Sequence, residues 1–162
     1  MFNFKWNKEQ LNTEKLEKSL EQIISLVVQK SGVPRCVRFD DDSTVAFSGS
    51  FNEPDLVLVL GIDKDENLSA SLDDEVSWFE WDFENVDEFV EKIANHIAPL
   101  VNHTVKYVKE YKKYEHIRFM TFVLDEKKHE WITISDEKIN ATLLNPFVVK
   151  DEREEIIKVY SI

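Results

Sequence analysis

One cysteine, three glycines and two methionines are all that this 162-residue chain contains of those residue types. A lone Cys36 rules out an intrachain disulfide, so nothing in the sequence calls for an oxidising compartment. Its setting, Val33-Pro34-Arg35-Cys36-Val37-Arg38, reads as the start of a strand, where a thiol serves as a small buried hydrophobe. Arg35 and Arg38 are the features that favour a reactive thiolate instead. With so few glycines, a loop that cradles phosphate has little to be built from, and no Walker or GxGxxG pattern occurs. HExxH, CxxC and GxSxG are missing too.

Long hydrophobic runs are also missing. The longest, Leu56 to Leu60, falls far short of the roughly 20 residues that a membrane span needs. The opening Met1-Phe2-Asn3-Phe4-Lys5-Trp6 leads straight into polar and charged residues, without the apolar stretch of a signal peptide. The expectation is a soluble, cytoplasmic protein with no membrane contact. Basic charge is in short supply as well: 20 Lys and Arg stand against 32 Asp and Glu, for a net charge of −12. That balance argues against a broad basic face for nucleic acid and admits a basic protein partner.

Bulky apolar material is plentiful, with 11 Phe, 4 Trp and a hydrophobic fraction of 43%. A chain of this length buries about 70% of its unfolded surface, so a core without staples is feasible. No linker rich in Gly, Ser or Pro divides it, and one domain over residues 1–162 is expected.

Hydrophobic spacing predicts an α+β fold: an antiparallel sheet of short meander strands packed by two long amphipathic helices, over residues 8–31 and 86–113. In the first helix Leu16, Leu20, Ile23, Ile24, Val27 and Val28 fall on one face, and Gly32 with Pro34 ends it. Asn85 with Glu88 makes a capping box for the second. Its apolar face is read from Val86 through Ile97 to Val105 and Val108, with a kink or break at Pro99. Strands are predicted at 33–39, 44–51, 55–62, 68–72 and 76–83, and again at 116–124, 129–134 and 139–149. Alternation at Ile156, Lys158, Tyr160 and Ile162 reads as a strand, whereas Asp151 with Glu154 would cap a helix. Helix then meander occurs twice, and Arg38-Phe39 and Arg118-Phe119 are the residues that hint at a duplicated unit.

Candidate chemistry is sparse. Asp63, Asp65 and Asn67 begin like a calcium loop, with Ser69, Ser71 and Asp74 at later ligand positions. Leu68 stands where the turn glycine belongs, and the twelfth position lacks its glutamate, so an ordinary polar hairpin is expected and no metal. His96 and His103, seven apart on the expected helix, are about 10 Å apart along its axis, too far to share an ion. With His116 and His129 they read as scattered solvent-facing side chains. No cofactor is expected.

Charge is segregated. Residues 63–92 carry twelve acids and two lysines, a net of −10, whereas 105–118 carry five basic and two acidic residues, a net of +3. Tyr107, Tyr111 and Tyr114 form an aromatic stripe edged by lysines, read as a packing face or a homodimer seam. In the strand at 76–83, Ser77, Phe79, Trp81 and Phe83 are expected to face the core. Trp78 then lies with Glu80 and Asp82 on the opposite face, as a hot spot for a Lys- or Arg-bearing partner, unless a helix covers that face too and makes Trp78 core.

The resulting expectation is a non-enzymatic acidic domain that binds a basic protein through residues 63–92. Trp78, Glu80, Asp82, Asp73, Asp74, Glu75, Asp87 and Glu88 are its candidate contacts. In composition this parallels small acidic bacterial inhibitor and immunity proteins, which are steered electrostatically onto basic targets. Two alternatives stand beside it: a small enzyme using carboxylates such as Glu80 and Asp82 with a histidine, and an adaptor whose acidity serves solubility alone.

Overall fold

The computed structural model describes residues 2–32, 36–38, 43–47, 56–62, 67–80, 86–101, 103–112, 115–138 and 151–160, with side chains other than those of 2–11, 36–38, 79–80, 115–117 and 151–152. The fold is mixed α+β, with two helices and two antiparallel sheets.

Helix α1 (Phe2–Ser31) presents Leu20, Ile23 and Val27, each essentially fully buried, at the spacing the sequence predicts. Gly32 closes it with a φ of 69° and an N–H donated to the Val28 carbonyl at 2.9 Å, a left-handed cap that glycine adopts without strain. Five strands follow: β1 (Cys36–Arg38), β2 (Thr44–Phe47), β3 (Leu56–Ile62), β4 (Leu68–Leu72) and β5 (Val76–Glu80). They pair in sequence order as an antiparallel meander.

The register of this sheet builds its core face. Val45 lies opposite Leu58, Leu58 opposite Leu72, and Leu72 opposite Val76. In the next row Leu60 faces Ala70 and Ala70 faces Trp78. All of these side chains are buried, while Ser77 and Val59 on the other face are exposed. The expected faces of β5 are therefore reversed. Pairing with the alternating Leu-Ser-Ala-Ser-Leu of β4 puts Val76 and Trp78 with the leucines, and Ser77 with the serines.

Helix α2 (Val86–Ile97) covers that core face with Phe89, Val90, Ile93, Ala94 and Ile97, and it packs on both α1 and β5. It has 12 residues, so the expectation of two long helices does not hold. Pro99 has no N–H to continue the ladder, and the chain turns there through bonds from Leu100 N and Val101 N to the Ile97 carbonyl. Beyond it lies a strand rather than more helix.

The second sheet contains β6 (Thr104–Lys112), β7 (Glu115–Asp125), β8 (Glu130–Lys138) and β9 (Asp151–Val159), in the order β8-β7-β6-β9. The sheet expected to be single is thus two, because α2 stands between β5 and β6, and β6 pairs with β7 and β9. Among the described residues the halves also differ in topology: five strands in sequence order against four whose last returns to pair with the first. The strand expected at 139–149 lies outside the described residues. The tail adopts the strand alternative, as β9. Buried side chains from both helices and both sheets form one contiguous cluster, from Leu20 and Trp78 to Tyr107, Val123 and Tyr160. Among the described residues, no helix is long and apolar enough to cross a membrane.

Candidate functional site

The acidic segment meets the second sheet at the β4–β5 turn. Glu75 N donates to the Leu72 carbonyl at 2.9 Å, and the two central residues, Asp73 and Asp74, have φ of 50° and 59°. With Leu72 paired to Val76 the loop has three residues, Asp73–Glu75, and its first two take the left-handed conformation, which aspartate enters more readily than most residues because its short side chain bonds locally. The turn aims Asp73 and Glu75 away from solvent, and leaves Asp74 in it.

Asp73 is the centre of a polar clasp between the sheets. One carboxylate oxygen, Oδ1, accepts the Val57 N–H of β3 at 2.8 Å. The other, Oδ2, accepts a short hydrogen bond from the Tyr160 hydroxyl, just past the end of β9. Tyr160 Oη in turn lies 3.4 Å from Tyr107 Oη of β6, within the core. Lys158 Nζ is 3.8 Å from Asp73 Oδ2 and 3.7 Å from Glu75 Oε1. Lys109 Nζ lies 2.5 Å from Glu75 Oε2, a close ion pair.

The register explains the convergence. Lys109 stands opposite Glu154, Tyr107 opposite Ile156, and Val105 opposite Lys158, so Tyr107, Lys109, Lys158 and Tyr160 share the inward face of the second sheet. Burial raises the Tyr107 phenol above its usual range, and the nearby Asp73 and Glu75 carboxylates add to that effect. Tyr160 is raised by burial first, then by Tyr107 and Asp73. Burial alone would lower the Lys109 ammonium, but the Glu75 carboxylate beside it holds it above its ordinary value. The phenols therefore stay neutral and act as hydrogen-bonding groups at ordinary pH.

Trp78 has the core placement of its two readings. It is 4% exposed, and its ring meets that of His96 edge-on, with centroids 5.0 Å apart. Helix α2 covers the face that would have to be open for a hot spot. His96 is buried too, contrary to the solvent-facing expectation, because it falls on the inner stripe of α2 with Ile93 and Ile97. Its Nε2 has no hydrogen-bond partner among the described residues, and burial, with the nearby Lys92 ammonium, lowers its pKa to about 4.

The remaining candidates divide by exposure. Asp87 and Glu88 are exposed in the first turn of α2 and Asp74 at the hairpin tip; Glu91, not among the expected contacts, is exposed one turn further along α2. Among the described residues, none of these four forms an ion pair. Glu80 ends β5 without a described side chain, and Asp82 lies outside the described residues. No family model, curated protein or solved structure matches the chain.

The calcium-like pattern finds no common centre. Asn67 and Asp74 stand at opposite ends of β4, about 20 Å apart at the strand rise, and Asp63 and Asp65 lie outside the described residues. Among the described residues, no group of His, Cys, Asp or Glu is arranged to hold a metal ion. Tyr107 and Tyr111 belong to strand β6, and Tyr114 lies outside the described residues, so the stripe is not helical. His103, past the end of α2, donates from Nδ1 to the Val101 carbonyl at 2.9 Å, at the rim of an open cavity of about 490 Å³. Asp125, which also lines that cavity, accepts the Lys127 and Lys128 backbone N–H groups with its Oδ1. Among the described residues, no carboxylate bonds to a histidine.

The clasp was missed at the sequence level. Tyr107 and Lys109 fall in the expected second helix, where only period-two alternation through Val105, Tyr107 and Lys109 signals otherwise, whereas Lys158 and Tyr160 lie in the alternation that reads as a strand.

Proposed function

We propose that the chain, acting as one domain over residues 1–162, is a non-enzymatic binding protein of inhibitor or immunity type. It engages a basic protein partner through the outward carboxylates of α2, Asp87, Glu88 and Glu91, with Asp74 as a separate acidic point. The observation that carries this reading is the division within residues 63–92. Asp73 and Glu75 are engaged by Tyr160, Lys158 and Lys109, whereas Asp74, Asp87, Glu88 and Glu91 face solvent and, among the described residues, have no ion-pair partner. Acids in the first turn of a helix also favour the helix itself, by about 0.3–1 kcal/mol each, and that accounts for Asp87 and Glu88. It does not account for Glu91, which extends the negative face a turn further along.

Exposed charges at a rim speed association and set its salt dependence. The test is capture of basic proteins by the immobilised chain, eluted with rising salt, for the wild type and for Asp87→Lys/Glu88→Lys/Glu91→Lys. The reading expects wild-type capture to weaken with salt and the triple variant to lose it while its melting temperature is unchanged. Capture that ignores both salt and the triple substitution would refute it.

A further inference from the structure

Beyond its acids, the outward face of α2 continues to a cavity at the far end of the helix. At helical spacing Glu88, Glu91 and Asn95 fall on one line, and all three are exposed. Glu88 and Asn95 stand about 10 Å apart along the axis. Asn95 borders a cavity of about 390 Å³, within the range of about 300–1,000 Å³ that ligand sites occupy. One exposed line of α2 therefore joins the acidic first turn to a concave site.

The cavity lies where both helices end. Ala98, Pro99 and Val101 give it an apolar lining, and Lys30, Asn95 and His103 give it polar groups. Charge selects a neutral occupant. The Lys30 ammonium opposes a second cation, and the carbonyl ends of α1 and α2 oppose an anion. The polar groups select an occupant with a polar tip. His103 donates its Nδ1–H to the Val101 carbonyl, so in the neutral ring Nε2 is left to accept from a hydroxyl. An aromatic body with a hydroxyl at its end meets all three conditions, and tyrosine is among the residues that dominate protein interfaces.

We infer that this cavity seats a tyrosine side chain of the basic protein partner, as an anchor beside the charge contacts on α2. The identity of the partner rests on the acidic-face reading, whereas the tyrosine rests on the cavity. Its ring covers Ala98, Pro99 and Val101, and its hydroxyl donates to His103 Nε2. The distance of about 10 Å from Glu88 to Asn95 matches about three residues of extended chain, which sets the spacing between the partner's tyrosine and its lysines or arginines.

The direct probe is p-cresol, the tyrosine side chain by itself. Titrated into the wild type and followed by NMR, it is expected to shift the Ala98 and Val101 methyl signals saturably at millimolar concentration. Asn95→Trp, at an exposed position, is placed to fill the mouth of the cavity and should abolish that response with the melting temperature unchanged. A lysine–glycine peptide is then compared with the same peptide carrying a tyrosine three residues from its lysines. The tyrosine is expected to tighten binding about tenfold, a gain that Asn95→Trp removes. Three results would overturn the inference: no saturable shift at Ala98 and Val101, shifts centred instead on Val123 and Ile132 of the neighbouring cavity, or a lysine peptide that binds but gains nothing from its tyrosine. If neither peptide binds while p-cresol still shifts Ala98 and Val101, the acidic-face reading fails and the tyrosine site stands.

Discussion

Replacing Asp73 by asparagine removes a charge from the clasp and leaves its shape almost unchanged. Asparagine accepts positive φ as readily as aspartate, so the turn at 50° is not strained by the change. What changes is the acceptor count. Oδ1 and Oδ2 now accept separately from Val57 N and the Tyr160 hydroxyl, and asparagine has one acceptor oxygen for the two donors. Hydrogen bonds to a charged group contribute about 1.5–3 kcal/mol, and the Asp73 side chain is only 9% exposed, so solvent repairs little of the loss. A destabilisation of about 2 kcal/mol is expected, equivalent to about 4–8 °C in melting temperature for a domain of this size. Urea melts of Asp73→Asn, Tyr160→Phe and the double variant would resolve a coupling energy of about 1 kcal/mol or more between the two side chains. Additive effects, or a loss below about 0.5 kcal/mol for Asp73→Asn, would refute the clasp as a stabilising link between the sheets.

Two predictions concern pH. His96 is neutral in the fold with a pKa of about 4, against 6.5 when unfolded, so the unfolded chain takes up the proton first. Its contribution is complete above pH 6.5 and declines as pH falls toward 4, by about 3 kcal/mol, and His96→Leu should flatten that acid limb in equilibrium melts. Tyr107 and Tyr160 are raised above their ordinary value of 10, so the unfolded chain ionises first at alkaline pH. Stability should therefore fall as pH rises beyond 10, and Tyr107→Phe/Tyr160→Phe should reduce that slope in the same melts.

Much of the first half was legible because local signals agreed with the tertiary outcome. Strand β4 falls where the turn residues on either side predict it, and the apolar stripe of α1 faces the core as its spacing requires. The second half failed at one place. Val101, Val105 and Val108 continue a helical spacing, yet Val105, Tyr107 and Lys109 alternate equally well as a strand. Periodicity alone cannot choose between them. The break at Pro99 and the β-branched and aromatic content of Thr104–Lys112 decide for the strand, through pairing with β7 and β9. The face of β5 was misjudged for a related reason. Trp78 and Phe79 are both credible core residues, and register against Ala70 settled the matter, which one strand read alone does not reveal. Asp73 illustrates the same limit: it counts as one more acid until β9, some 80 residues later, brings Tyr160 to it.

The central claim is that the acids of residues 63–92 do two separate jobs, an inward one at Asp73 and Glu75 and an outward one on α2. The most direct test measures melting temperature and salt-dependent capture of basic proteins together, for Asp73→Asn and for Asp87→Lys/Glu88→Lys/Glu91→Lys. The account predicts that the first variant loses stability but captures normally per folded molecule, and that the second keeps its stability but loses capture. If the α2 variant captures as well as the wild type at low salt, or if Asp73→Asn abolishes capture without lowering the melting temperature, the division is wrong.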